Sequence, residues 1–332
     1  MNILRKVIFY LVILVSVAII GVTMLSLLYD VNVWWIKTLD FPRVQCFFIL
    51  LLCLLGFIFL NRHWSWGTKL LVVGLVSSLG LQAYFIYPYT SLPAKVVPSI
   101  NSNSASDAST VSLLIANVYM YNRKANAFLD IVQEADPDMV LVMETDQWWM
   151  DAIQPLQNQY AYHHEYPTSN TYGMGLYSRF PMLDMQTEFF QHDSVPSFHT
   201  QVQLPSGRTF MFHGVHPVPP VHSEHPDNAG EKEIEIIKVG QMITQEQQPA
   251  IVAGDFNDVA WSHTSRLFHT EGQLYDTRIG RGLYSSFDAT SSIMRWPLDH
   301  IYVTKEFKMI TLQRLDKFGS DHFPIYGELV LE

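Results

Sequence analysis

This sequence predicts an α/β domain carried behind a helical membrane region, and three observations predict it. Three uncharged apolar runs of bilayer-crossing length precede Tyr87. Beyond residue 110, short apolar strands alternate with segments of helical period. Polar residues fall repeatedly where those strands break off, most sharply in Ile251-Val252-Ala253-Gly254-Asp255-Phe256-Asn257-Asp258.

Only 16% of the 332 residues are charged and the mean hydropathy is +0.10, which is apolar for a soluble protein. The excess lies in residues 7–28, 44–60 and 70–87, none of which contains a charge. Each run is close to the length that crosses about 30 Å of hydrocarbon as a helix. Trp34, Trp35, Trp64, Trp66 and Tyr87 stand at the ends of these runs, where interfacial aromatics belong. The first run is too long for a cleaved leader and two more follow it, so residues 1–95 read as a membrane region with three helices. Arg5, Lys6, Arg62 and Lys69 slightly outweigh Lys37 and Arg43, which favours an inside N-terminus. Three crossings then put the remainder outside the cytoplasm.

Cys46 and Cys53 both lie in the second apolar run, so the large domain offers no disulfide, thiol nucleophile or thiolate metal site. Residues 96–332 hold 29 acidic and 14 basic residues, a net charge of −15. Such a domain does not attract nucleic acid non-specifically. A bound metal can still give it local positive charge for a phosphate.

Residues 96–110 are serine-rich and polar and read as a flexible linker with nothing to bury. Residues 111–118 form an apolar strand with Asn117 near its end. Residues 123–134 form an amphipathic helix with Ala127, Ile131 and Ala135 on one face, stopped by Asp136-Pro137-Asp138. Residues 139–143 are a buried strand, and Glu144 at its exit is costly unless solvated, paired or bound to metal. A glycine-led strand follows at 172–181, then a half-exposed strand at 199–204 and another at 208–215. The last leads to His213-Gly214-Val215-His216 and a proline run that leaves His216 at the tip, with His213 facing the other way. His222, Glu224, His225 and Asp227 follow, and with His213 and His216 they form a loosely spaced candidate zinc cluster. A helix over 228–245 is signalled by Asn228 and Glu231 as a capping box, with Ile234, Ile237 and Val239 inward. The run 251–254 is a buried strand; if it stays extended, Asp255 and Asn257 point the same way and can hold a hard cation and a water. A short helix at 261–269 and an irregular stretch at 281–295 precede the last two strands, 297–303 and 325–331. Asp299 opens the first, and Asp321-His322 precede the second. A carboxylate on one strand can orient a histidine on another and raise its basicity.

Asn117, Glu144, His216, Gly254-Asp255-Phe256-Asn257, Leu298-Asp299-His300-Ile301 and Ser320-Asp321-His322-Phe323-Pro324 occur in that order. In this the chain resembles the endonuclease/exonuclease/phosphatase superfamily from residue 111 onward, and is most similar to bacterial members with membrane helices ahead of the catalytic domain. The resemblance implies a four-layer α/β sandwich: two mixed β-sheets packed face to face, with helices outside. It implies a Mg²⁺-dependent hydrolase, with Mn²⁺ as the alternative ion, acting on a phosphodiester or phosphomonoester of nucleic acid, a phospholipid headgroup or a small ester. Glu144 would be the principal metal ligand, helped by Asn117, with Asp321 supporting a metal or the histidine. Asp255 would orient or deprotonate the attacking water, and Asn257 would hold it and the phosphate. His322, oriented by Asp299, would be base or donor to the phosphate. His216 would contact the phosphate or protonate the leaving oxygen. Pro217-Val218-Pro219-Pro220 departs from the pattern of many relatives. The resemblance also implies an integral protein of the bacterial inner membrane with an extracytoplasmic catalytic domain, and no protein partner is expected. The competing expectation is a catalytically silent binding or sensor module of the same fold.

Overall fold

The computed structural model describes residues 3–29, 33–190, 193–219 and 231–332. Among the described residues, three helices are long and apolar enough to cross a membrane: α1 (Ile3–Leu25), α3 (Arg43–Leu60) and α4 (Trp66–Ile86), with the one-turn α2 (Trp34–Lys37) between the first two. Most of the polar groups at one end of this bundle are paired, as an apolar environment favours, although Ser78 Oγ and Arg43 Nε have no partner. Gln82 Nε2 donates to Thr23 Oγ1 at 3.1 Å, Arg43 Nη1 donates to Gln82 Oε1 at 3.2 Å, and Arg43 also meets Asp40. This polar chain ties together one end of all three helices, the end that carries the large domain.

The large domain contains β1 (Thr110–Asn117), α5 (Ala125–Ala135), β2 (Met139–Met143), α6 (Gln147–Ile153), β3 (Tyr162–Tyr166), β4 (Met174–Ser178), β5 (Met182–Glu188), β6 (Ser197–Gln203), β7 (Thr209–Gly214), α7 (Glu231–Glu246), β8 (Ala250–Asp255), α8 (His263–Glu271), β9 (Tyr275–Asp276), β10 (Asp299–Val303), β11 (Phe307–Arg314) and β12 (Ile325–Leu331). They form two six-stranded mixed sheets, ordered β11-β12-β1-β2-β4-β3 and β5-β6-β7-β8-β10-β9. Alternation along β1 explains the layering. Val111, Leu113 and Ile115 meet Phe198, Phe210, Phe212, Ile251, Ala253 and Ile301 of the other sheet. Leu114 and Ala116 face the opposite way, against Phe128, Val132 and Trp149 of α5 and α6. Ala250 and Val252 likewise pack on Ile236, Val239, Ile243 and Phe268 of α7 and α8. The expected helix–sheet–sheet–helix sandwich is therefore what these residues build.

Each sheet has one parallel pair at its centre, β1 with β2 and β7 with β8, each joined through a helix. The carboxyl ends of the two pairs lie at the same rim, where open α/β sheets bind ligands. Gly254 fixes the approach of β8 to the end of β7. Its φ is +149°, and a Cβ there would sit 1.9 Å from the Val215 carbonyl oxygen.

Several sequence expectations need correction. The buried stripe of α5 is Ala125, Phe128 and Val132, with Ala127, Ile131 and Ala135 only on its flank. β6 is buried rather than half-exposed, because it runs between β5 and β7 with a packed layer on each face. In α7 the inward residues include Ile236, and Ile237 is only partly buried. Its proposed cap, Asn228, lies outside the described residues. Residues 96–110 are fastened to the domain. Val97 is buried, Met309 N donates to Pro98 O at 2.9 Å, Ile100 N to Met309 O at 3.1 Å, and Ser206 N to Ala108 O at 2.8 Å. The segment covers part of the open edge of β11, which would otherwise expose unpaired backbone.

Gly254→Ala is expected to cost about 3 kcal/mol or more, through clash and backbone strain together. Gly207, with a φ of +82° and open space where a Cβ would go, is the control; Gly207→Ala should cost only about 1 kcal/mol. Thermal unfolding of the full chain in detergent checks the difference.

Candidate active site

The rim is built from strand ends. Asn117 closes β1, Glu144 follows β2 directly, Asp255 closes β8 and Asp299 opens β10. Tyr119, Glu144 and Asn257 all have positive φ. Non-glycine residues adopt that conformation at a cost, and here it turns the chain sharply where the strands end.

Asp255 is the hub. It is fully buried, and its Oδ2 accepts from Asn117 Nδ2 at 3.0 Å. The same oxygen lies 3.6 Å from His322 Nε2 and 3.8 Å from His216 Nε2. Its backbone N–H meets Met143 Sδ of the facing sheet at 3.0 Å. Asn117 Nδ2 also donates to Glu144 Oε1 at 2.8 Å, so one amide links two carboxylates. Asn117 Oδ1 is turned away, accepting from Tyr119 N at 2.9 Å.

Asp255 and Asp299 are direct partners across the antiparallel β8–β10 pair. Two carboxylates so placed repel unless a positive group lies between them. His322 supplies it: Nδ1 bonds Asp299 Oδ2 at 2.7 Å while Nε2 faces Asp255. Burial disfavours the imidazolium, but the charges of Asp299 and Asp255 outweigh that and push its pKa up to about 10. Burial also raises Asp299, with the His322 charge pulling it back. The ring is held by Phe287 at 4.9 Å between centroids, and its backbone N–H donates to Ser320 Oγ at 3.0 Å. Ser320 Oγ in turn donates to Asn117 O at 2.8 Å, which ties β12 to β1 at the site.

Glu144 is pushed up to about 7 by burial first, with Asp255 and Asp321 adding and Asn117 and His322 opposing. Asp321 is raised by burial in the same way. His216 goes in the other direction, down to about 4, because burial outweighs the pull of Asp255. It is neutral at pH 7 and packs on Tyr172 at 5.5 Å. The expected side-by-side projection of Asp255 and Asn257 is not found. The strand ends at Asp255, Asn257 has a φ of +51°, and its N–H donates to Asp255 Oδ1 at 2.8 Å. Its amide nitrogen reaches the Pro217 carbonyl at 2.9 Å.

Asp255, Asp299 and His322 each bring a ligand atom within 4.8 Å of the others, a set that could hold a metal ion. Among the described residues it is the one group of three or more such side chains. His213 points away from this rim and pairs with His199, Nδ1 to Nδ1 at 2.8 Å. Burial lowers both, His199 to about 4, and keeps them neutral. His222, Glu224, His225 and Asp227 of the zinc expectation lie outside the described residues.

Ser286 and Phe287 do not stand out in the sequence as individual supports. Ser286 Oγ accepts from the backbone N–H groups of Leu298 and Asp299 at 3.2 and 3.1 Å, which positions the carboxylate behind His322. Trp149 is buried in the core, whereas Tyr119, Tyr121 and Trp148 are exposed near the rim.

The sequence model of the Endonuclease/Exonuclease/phosphatase family matches residues 114–322. A search of curated protein sequences finds no match. Among solved structures, the human Nocturnin catalytic domain with bound sulfate anion is 16% identical with a TM-score of 0.55, over 69% of this chain and 96% of that one. D. rerio TDP2 complexed with single strand DNA product is 16% identical with a TM-score of 0.53, over 67% and 99%. An endonuclease/exonuclease/phosphatase family protein from Bacteroides thetaiotaomicron is 17% identical with a TM-score of 0.53, over 67% and 98%. At these identities the likeness is one of fold.

The raised His322 value makes its ion pair a pH-dependent source of stability. An unfolded histidine titrates near 6.5. The contribution is therefore complete below about pH 6.5 and is lost as pH rises through about 10. Asp299→Asn should be about 3 kcal/mol less stable than wild type at pH 6, with the gap closing at pH 10.5. Chemical denaturation at the two pH values measures it.

Proposed function

The chain belongs to the endonuclease/exonuclease/phosphatase family, and from that premise we propose that it is a membrane-anchored, Mg²⁺-dependent phosphoesterase that directs water in line at a phosphodiester or phosphomonoester. Members of this family are generally metal-dependent phosphoesterases. The observation that carries the reading is the Asp255 carboxylate shared by polar strand ends of both sheets, with the His322–Asp299 pair beside it.

The donor set fits a hard divalent cation. Oxygen donors dominate, thiolates are absent, and Asp299 Oδ1 is buried with no partner. Four carboxylates surround one imidazolium, so the rim lacks positive charge; burial raises Glu144 and Asp321, and the neighbouring carboxylates add to it. Glu144 would be the principal ligand, with Asp321 or Asp255 helping, and Asn117 would hold the Glu144 and Asp255 carboxylates through its amide N–H groups. Mg²⁺, or Mn²⁺ in its place, would neutralise phosphate charge and polarise the ester.

The chain's own groups do the rest. Asp255 accepts a proton from the attacking water or fixes its lone pair, helped by Asn257, whose N–H already holds the other Asp255 oxygen. His322, kept protonated by Asp299, donates Nε2–H to the phosphate oxygens as charge builds there. This favours the donor role over the base role. His216 is neutral and buried, so it offers a hydrogen bond to the phosphate or leaving oxygen and no formal charge. The slight excess of Arg5, Lys6, Arg62 and Lys69 over Lys37 and Arg43 supports an extracytoplasmic domain, and the resemblance to bacterial members supports the inner membrane as its location. No observation favours the catalytically silent module, which would lack one of these groups.

The test uses the full chain in detergent on bis-p-nitrophenyl phosphate, single-stranded and plasmid DNA, sphingomyelin and inositol phosphates. Turnover should vanish in EDTA and return with Mg²⁺. Asp255→Ala and His322→Ala should each lower kcat by about 10²–10⁴-fold. Activity that survives both substitutions would overturn the site assignment.

A further inference from the structure

The loops that frame the candidate site are the same loops that seat the domain on the three apolar helices. From residue 256 the chain runs from Asp255 straight to that seam. Tyr89 OH donates to Ala260 O at 2.6 Å, and Trp261 Nε1 donates to Asp40 O at 2.7 Å. Val259, Ala260, Trp261 and Leu298 share one buried cluster with Phe85 and Tyr89. On the other flank, His322 packs at a tilt on Phe287, Phe287 stacks on Trp296 at 6.0 Å, and Trp296 meets Phe41 edge to face at 5.8 Å. Two intervening rings thus join the catalytic imidazole to the loop between α1 and α3.

That second flank carries an unpartnered apolar tip. Ile293 is 74% exposed and Met294 44%. Ser291 Oγ accepts from both their backbone N–H groups, which shapes the turn. Gln45 Nε2 donates to Ile293 O at 2.9 Å. Gln45 is in the first turn of α3, and the exposed apolar Phe48 and Ile49 lie one turn further along. The tip is therefore held level with the start of a membrane span, where exposed apolar side chains meet lipid. Just behind it, the guanidinium groups of Arg295 and Arg314 lie 5.0 and 4.4 Å from the ring of Phe323, the residue after His322. In a domain of net charge −15 these two cations stand beside the site, suited to an anionic headgroup.

We propose that the 288–296 loop dips its Ile293–Met294 tip into the bilayer and that the substrate is the headgroup phosphoester of a membrane lipid. This rests on the phosphoesterase reading above. In the step, the oxygen of water bonds to phosphorus and the bond from phosphorus to the leaving alcohol's oxygen breaks. One water proton ends on that alcohol, and the other stays on the new phosphate or passes to solvent.

The full chain is reconstituted in vesicles of phosphatidylethanolamine and phosphatidylglycerol, as wild type and as Ile293→Asp/Met294→Asp. Lipid headgroup release is followed beside hydrolysis of soluble bis-p-nitrophenyl phosphate. We expect the double substitution to lower lipid turnover at least tenfold and to leave the soluble ester within twofold. Soluble turnover without lipid turnover, or an equal loss on both, would overturn the lipid assignment while leaving the phosphoesterase reading in place. Silence on both substrates would overturn both. A spin label at Ile293→Cys, with Cys46 and Cys53 replaced by serine, gives a readout independent of chemistry. It should be relaxed more by oxygen than by an aqueous nickel complex, and the reverse order would refute insertion.

Discussion

The burial of one carboxylate governs this molecule. Asp255 ends a strand at the seam of two sheets, with no solvent to support its charge. It is tolerable only because partners arrive from every side: an amide from β1, an imidazolium from the approach to β12, another imidazole from the end of β7. Those partners exist in register only if both sheets form and face each other. The chemistry of the rim and the packing of the sandwich are thus one constraint. A change that slid either sheet would leave a buried charge without compensation, at a cost of several kcal/mol.

The two central parallel pairs give that constraint its shape. Each β-α-β unit ends in polar residues, Asn117 and Glu144 in one, His216 and Asp255 in the other. No sequence repeat marks this duplication, because the shared requirement is only that a buried strand end in a polar group at one rim. All eight interior strands are legible in the sequence, β6 by its alternation and the others chiefly as apolar runs. The four that are not, β3, β5, β9 and β11, are the four sheet edges. An edge strand such as β3, Tyr-His-His-Glu-Tyr, needs no continuous apolar face, and its sequence follows solvent exposure more than pairing. The bound character of residues 96–110 was hidden for a related reason. Its contacts to β11 are made by backbone atoms, which leave no trace in a serine-rich composition.

At the site, Asn117, Glu144, Asp255 and Asp299 are legible because their polarity conflicts with the apolar runs they adjoin, and His322 through its pairing with Asp321 after Asp299 in the chain. The direction of Asn257 is not legible, because an apolar run does not show where its strand stops and the chain turns into a left-handed conformation there. Ser286 and Phe287 were illegible as individuals. One acts through a hydroxyl on backbone N–H groups, the other through a ring face. Neither residue type stands out in an irregular stretch.

β12 is the last strand of the fold, yet it lies inside its sheet, between β11 and β1, with Thr110 opposite Val330 and Ile115 opposite Ile325. His322 sits three residues ahead of it and Ser320 clips that approach to Asn117. During synthesis the first strand must wait for the last, its flank open, until the rest of the domain has been made. The centre of charge balance at Asp255 waits with it. Assembly of the rim therefore waits until residues 320–331 have been made, and a chain cut short before them would hold its carboxylates without the imidazolium that neutralises them.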